Sequence, residues 1–277
     1  MLLRDIRAVA LVAVVVAVSG CGSGGSYVST SLGKEHHIEP AVNRISEGKR
    51  HEDGDAGMQR DVAEIGRALA IGDFDAAKRQ ATGLLKRQPN SFEAHTYLAV
   101  ALDKSGDSAG AGKHYLRATE LAPKNGGVLG NYGIWLCEQG RAGESLDWFD
   151  RALALPGYAD SPVILANSGA CASTVGQQER AERDLHRAVE LDPTNPVALG
   201  SLAERKFRAG DAFEARAFSE RRLAAAPADP KALLLASQIE QKLGDSASAA
   251  RYVSRLKTEF PDAPEARNSV MGDGGRQ

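Results

Sequence analysis

Three cysteines and six histidines carry most of the reactive chemistry open to this 277-residue chain. A thiol can take an acyl group, join a second thiol, hold a metal or attack as a nucleophile, and its neighbours decide which. Cys21 follows an apolar run, whereas Cys137 and Cys171 stand 34 residues apart in the middle of the chain. Catalysis by a Cys-His pair needs a third group to orient the imidazole, and the sequence sets none beside His114 or His186. His36-His37 has no second cluster at ligand spacing, so no metal centre is expected there. No nucleophile elbow, phosphate loop or metal-ligand run is legible either. An enzyme, for instance a hydrolase hidden in a helical array, is therefore the least supported class, and no cofactor is expected.

The charge balance narrows the partners. Lys and Arg number 34 and Asp and Glu 36, a formal net charge of −2. Removal of residues 1–20 would take away Arg4, Asp5 and Arg7 and leave −3. Binding to phosphate backbones needs concentrated Lys and Arg, and no basic stripe is present, which argues against nucleic acid.

The elements that must position the cysteines follow from a repeated glycine. Gly72, Gly106, Gly140, Gly176, Gly210 and Gly244 are spaced by 34, 34, 36, 34 and 34 residues, each between two helix-like stretches. A proline follows most of them about half a period later, at Pro89, Pro123, Pro193, Pro227 and Pro261. In the third unit Pro156 comes one residue early, and Gly157-Tyr158-Ala159-Asp160 reads as a loop insertion that lengthens the spacing to 36. A period of this length predicts stacked helical hairpins.

With the glycine as position 15 of a 34-residue unit, position 20 is always small: Ala77, Ala111, Ser145, Ala181, Ala215 and Ala249. Position 8 holds Ala99, Gly133, Gly169, Ala203 and Ser237, with Ile65 the exception in the first unit. Two helices that cross closely need small residues at the crossing, because larger side chains push the axes apart. Position 24 holds Ala81, Tyr115, Phe149, Leu185, Ser219 and Val253, one turn along the same face. The glycine ends the first helix by taking a left-handed conformation, and the aspartate after it at Asp73, Asp107, Asp211 and Asp245 is placed to cap the second.

These positions resemble the tetratricopeptide repeat in six copies over residues 58–261. The resemblance implies an all-α, right-handed solenoid whose inner groove is lined mainly by first helices. Arg205-Lys206 departs from the pattern by setting two cations in an apolar first-helix stretch.

The ends read differently. Residues 1–20 have the form of a secretory signal: Arg4 and Arg7 precede the eleven-residue apolar run Ala8 to Val18. That run is shorter than the roughly 20 residues needed to cross a bilayer. Val18-Ser19-Gly20-Cys21 resembles the bacterial lipobox, which implies acylation of Cys21 and anchorage to outer-membrane lipid on the periplasmic face. Gly22 and Ser23 carry no aspartate-type retention signal. Residues 21–57 read as a flexible tether rich in Gly, Ser, His and charge, and residues 262–277 as a disordered tail.

Repeat arithmetic assigns a partner-binding groove to Thr96, Val100, Asn131, Ile134, Asn167, Ala170, Glu204 and Phe207. The surface is mixed and partly apolar, suited to an extended or helical peptide. Asn131 and Asn167 share position 6, where they either contact a ligand backbone or join helices. Cys137 and Cys171 fall on consecutive first helices, whose axes lie about 8–10 Å apart. In an oxidising compartment they form either a disulfide or two buried thiol fillers.

The central stretch carries a closer resemblance. Asn131-Tyr132-Gly133-Ile134-Trp135-Leu136-Cys137-Glu138-Gln139-Gly140-Arg141 and Asn167-Ser168-Gly169-Ala170-Cys171-Ala172 are similar to the type IV pilus biogenesis and stability family of PilF/PilW-type lipoproteins. Ala203-Glu204, Ala215-Arg216, Ile239-Glu240, Gly244-Asp245 and Phe260-Pro261 follow in the same order. The resemblance implies a non-enzymatic pilotin that binds the secretin subunit and promotes its localisation and multimerisation. It also implies lipidation at Cys21 and a Cys137–Cys171 bond. A repeat lipoprotein that docks cell-wall enzymes is the alternative compatible with the same fold and anchor.

Overall fold

The computed structural model describes residues 52–268, and among them it contains helices and connecting turns but no strand. Twelve helices form six consecutive hairpins: α1 (Glu52–Ala70) with α2 (Phe74–Arg87), α3 (Phe92–Lys104) with α4 (Ser108–Leu121), and α5 (Gly126–Glu138) with α6 (Ala142–Leu153). The series continues with α7 (Pro162–Thr174) and α8 (Gln178–Leu191), α9 (Pro196–Arg208) and α10 (Ala212–Ala225), and α11 (Pro230–Leu243) and α12 (Ser246–Glu259). A short α13 (Pro264–Asn268) follows. First helices also touch one another in sequence, α1 to α3 and onward to α11, which is the stacking of a tetratricopeptide-type solenoid.

The turn inside each hairpin is built as the spacing predicts. All six repeat glycines have positive φ, between +75° and +89°, a conformation that would strain any side-chain-bearing residue. Asp73, Asp107, Asp211 and Asp245 then accept hydrogen bonds from the backbone amides of Ala76, Gly110, Glu214 and Ser248 at 2.9–3.1 Å. Each bond satisfies one of the amides that a helix start leaves without an intrahelical acceptor. At the equivalent sites Arg141 and Gln177 make no side-chain cap.

The small positions lie where the hairpin helices meet. Ala77, Ala111, Ser145, Ala181 and Ala215 are fully buried, as are Ala99 and Ala203. Gly133 and Gly169 show why: a Cβ on Gly133 would stand 2.8 Å from Phe149 Cε1, and one on Gly169 would stand 2.7 Å from Leu185 Cγ and 3.1 Å from the Ala181 carbonyl oxygen. Ile65, the exception in the first unit, is also buried, and it shares a core cluster with the smallest position-24 residue, Ala81.

The third hairpin is the most enclosed. Every residue of α5 from Gly126 to Leu136 is buried, so this helix has no solvent-facing stripe. The insertion after α6 contributes to that enclosure. Gly157 turns at φ +83°, and Tyr158 folds back over Gly126, where a Cβ would stand 2.4 Å from the Tyr158 ring.

From the third repeat onward, arginines cross the seams between hairpins. Arg180 on α8 grips Asp150 on α6 through two bonds of 2.7 and 3.0 Å and donates to Ser168 Oγ at 3.2 Å. Ser168 in turn donates to the buried Asp184 at 2.7 Å, so the carboxylate enters the interior already hydrogen-bonded. Arg205 reaches Glu182 at 2.9 Å and Lys206 reaches Glu214 at 2.7 Å, which accounts for the two cations in the fifth first helix. Arg216 pairs with the buried Glu240 across the last seam.

Two boundaries differ from the sequence reading. α1 opens at Glu52, six residues before the periodicity becomes legible at Met58, because Gly54 and Gly57 dilute the pattern without breaking the helix. α13 lies inside the stretch read as a tail: buried Ala266 packs against Leu233 and Leu256 and covers the apolar end of the sixth hairpin. A terminal repeat has no neighbour to bury its outer face, and a short capping helix supplies one.

Candidate functional site

Cys137 and Cys171 are joined by a disulfide that ties α5 to α7, with Cα atoms 6.0 Å apart. Of the two residual readings of this pair, the structure holds the bonded one. Around it lie Ile134, Leu146, Phe149, Ile164 and Ala172, an apolar packet that keeps Cys171 from solvent while Cys137 is half-buried. The bond fixes the spacing of two neighbouring first helices at the centre of the solenoid. Cys21 lies outside the described residues.

Five of the eight residues assigned to the groove are buried: Thr96, Val100, Asn131, Ile134 and Asn167. Thr96 Oγ1 donates to the Phe92 carbonyl at 2.8 Å, and Asn167 Nδ2 donates to the Val163 carbonyl at 2.8 Å. Val100 and Ile134 belong to the apolar clusters of the second and third hairpins. Ala170 and Phe207 are half-buried and Glu204 is exposed, paired with Arg208 one turn on. The exposed part of the candidate face therefore lies toward the fifth and sixth hairpins, where Lys231 and Gln238 are exposed and Val197 and Leu234 half-buried at the corresponding positions. Repeat arithmetic names which residues share a face; it does not say how much of that face is covered.

Two aromatic and polar groupings escaped the sequence reading. Tyr132 stacks on Trp135 with centroids 5.7 Å apart and meets Trp148 edge-on at 4.8 Å, while the Arg151 guanidinium lies 4.0 Å from the Trp148 ring centre. Both tryptophans of the chain thus lie in one hairpin and share Tyr132 as a neighbour. In the second hairpin His95 Nδ1 and His114 Nδ1 are 2.8 Å apart. The signal for this pair was present: His95 lies one turn before Ala99 and His114 three residues after Ala111, and antiparallel crossing at those two alanines brings the rings together.

Among the described residues no group of three or more His, Cys, Asp or Glu side chains converges on one point. No described helix is long and apolar enough to cross a membrane.

The tetratricopeptide repeat family matches residues 64–126. The type IV pilus assembly protein PilF of Pseudomonas aeruginosa is 24% identical over 197 residues, covering 71% of this chain and 78% of that protein. The solved structure of PilW, described as a widely conserved type IV pilus biogenesis factor, superposes with a TM-score of 0.65 at 26% identity, covering 76% of this chain and 97% of that one. The structure of Pseudomonas aeruginosa PilF superposes equally well, with a TM-score of 0.65 at 22% identity over 79% of this chain and 99% of that one. Six phased hairpins and a likeness that covers nearly all of both solved chains lead to one assignment: the chain is a tetratricopeptide-repeat solenoid similar to the PilF and PilW pilus proteins.

Proposed function

We propose that this protein is a non-enzymatic assembly factor for type IV pili, a pilotin that binds the secretin subunit at the outer membrane and promotes its localisation and multimerisation. The observation that carries the reading is the match in extent: PilF and PilW are pilus proteins, and the repeat array here spans nearly all of each solved chain. The lipobox-like Val18-Ser19-Gly20-Cys21 supplies the anchor in this reading, and the segment between Cys21 and the first helix supplies reach. A flexible coil of about 30 residues has a root-mean-square span of roughly 30 Å, enough to hold the solenoid clear of the lipid surface.

The work is then done by concentration and rigidity rather than by bond chemistry. A protomer captured on the inner face is confined to the membrane surface, which raises its effective concentration toward other protomers until the ring closes. A preformed face loses less entropy on binding than a flexible one, and the disulfide and arginine seams keep it preformed. The accessible stretch around Glu204, Phe207, Lys231 and Leu234 is the surface offered to the partner.

The test is a deletion strain complemented with wild-type chain or with Cys21→Ala, in which secretin multimers are followed in fractionated membranes. Loss or misplacement of the multimer in the deletion, repaired by wild type and not by Cys21→Ala, supports the proposal. Normal multimers in the outer membrane of the deletion strain overturn it.

A further inference from the structure

We propose that His95 and His114 form a binding site for a borderline divalent transition-metal cation such as Zn2+. The two Nδ1 atoms face each other at 2.8 Å across the second hairpin, with ring centroids 5.1 Å apart. His95 Nε2 stands 3.1 Å from the Pro89 carbonyl oxygen. A carbonyl only accepts, so Nε2 carries the proton, and in the neutral ring Nδ1 is left as a bare lone pair aimed at His114. An outer N–H held by a backbone carbonyl is the contact that commonly orients a metal-bound imidazole.

In the metal-free pair His114 Nδ1–H donates to that lone pair. Transfer of its proton to its own Nε2 through solvent turns a second lone pair to the same point, and no proton is lost overall. Zinc–nitrogen bonds of about 2.0–2.1 Å at a tetrahedral angle set two donors about 3.3 Å apart with the cation off the line between them, so binding requires the rings to separate by about 0.5 Å and each to tilt by roughly 35° so that the two lone pairs converge. Both side chains are half-buried at the surface, which leaves room for that movement. Partial burial lowers the pKa of both imidazoles below their ordinary value and so keeps the nitrogens unprotonated near neutral pH.

The surrounding charge is nearly balanced. Arg117 acts against positive charge at His95, but its guanidinium is engaged by Glu120 at 2.9 Å and Asn90 at 3.2 Å. Asp107 acts on His114 in the opposite sense. Two protein nitrogens leave the remaining coordination positions to water, which makes this an exchangeable site rather than a closed structural one.

The experiment uses the full chain carrying His36→Gln, His37→Gln and His51→Gln, with imidazole nitrogens labelled with 15N, titrated with Zn2+ alone. Both Nδ1 resonances of the pair are expected to move together to bound positions at one equivalent. Calorimetry is expected to show the affinity falling on the order of tenfold or more in His95→Gln or His114→Gln. Zinc that leaves these two resonances unmoved, or that binds both variants as tightly as the parent, overturns the site; the nuclear resonance readout needs no variant of the pair and is independent of any folding defect.

Discussion

Cys137 near the end of α5 is bonded to Cys171 in α7, exactly one nominal repeat length of 34 residues later, although the two occupy different positions of their repeats. The bond closes a 34-residue loop that contains the whole of α6 and the insertion after it. In the chain-entropy model that closure stabilises by about 3–4 kcal/mol. The double variant Cys137→Ala/Cys171→Ala should lose stability of that order in urea unfolding, while the oxidised wild type and a reductant-treated wild type should differ in the same direction.

Glycines inside helices test the close crossing. Gly169→Ala places a methyl 3.1 Å from the Ala181 carbonyl oxygen and 2.7 Å from Leu185 Cγ, and the backbone atom has nowhere to move. The expected cost is about 1–3 kcal/mol. Gly200→Ala is the contrast, since its methyl would meet only Arg222 Cγ at 3.7 Å and would restrict the unfolded chain. It should raise stability by about 0.5–1 kcal/mol. Opposite signs in thermal or urea unfolding would establish the crossing; equal effects would refute it.

The fourth hairpin lacks a cap it is built to accept. Gln177 sits at φ −78°, ψ 71°, close to the −80°, 73° of Asp73, yet makes no side-chain cap bond, whereas Asp73 does. Gln177→Asp should add a carboxylate acceptor for the α8 amides and gain about 0.5–1 kcal/mol. The converse, Asp211→Ala, should cost about 1 kcal/mol. Both are read from the midpoint of chemical unfolding.

Alkaline stability should follow the buried tyrosines. Burial, with the Glu93 charge as a smaller cause, raises the Tyr97 phenol to about 12, and burial of Tyr115 also raises its phenol well above the ordinary value. A folded-state pKa above the unfolded one gives stability that is complete below about pH 10 and is lost as pH rises toward the folded value. Between about pH 10 and 12 each such tyrosine costs up to about 1.4 kcal/mol per pH unit. Tyrosinate absorbance of these residues should therefore appear together with loss of helical circular dichroism, and Tyr97→Phe should move that unfolding to higher pH.

The sequence by itself determined the hairpin count, the turn chemistry and the crossing points. A left-handed turn restricts its residue to glycine, a helix start favours aspartate, and a close crossing tolerates only small side chains, so each constraint leaves a residue type at a fixed period. The insertion at Gly157-Tyr158 was legible for the same reason, as a slip in that period, although its packing over Gly126 was not.

Tertiary structure decided what is covered. Thr96, Val100, Asn131, Ile134 and Asn167 share a repeat face with Glu204 and Phe207, yet the first five are buried and Glu204 is exposed. Burial depends on every element that approaches a face, including Tyr158 over α5 and Ala266 under the last hairpin, and these are neighbours in space set by how the hairpins stack. The same holds for Arg205 and Lys206, which read as an interruption of an apolar helix until Glu182 and Glu214 stand opposite them. Periodicity fixes positions along each helix. Partners that meet across a seam depend on the angle and spacing between helices, and those were decided by the packing of unequal side chains in three dimensions.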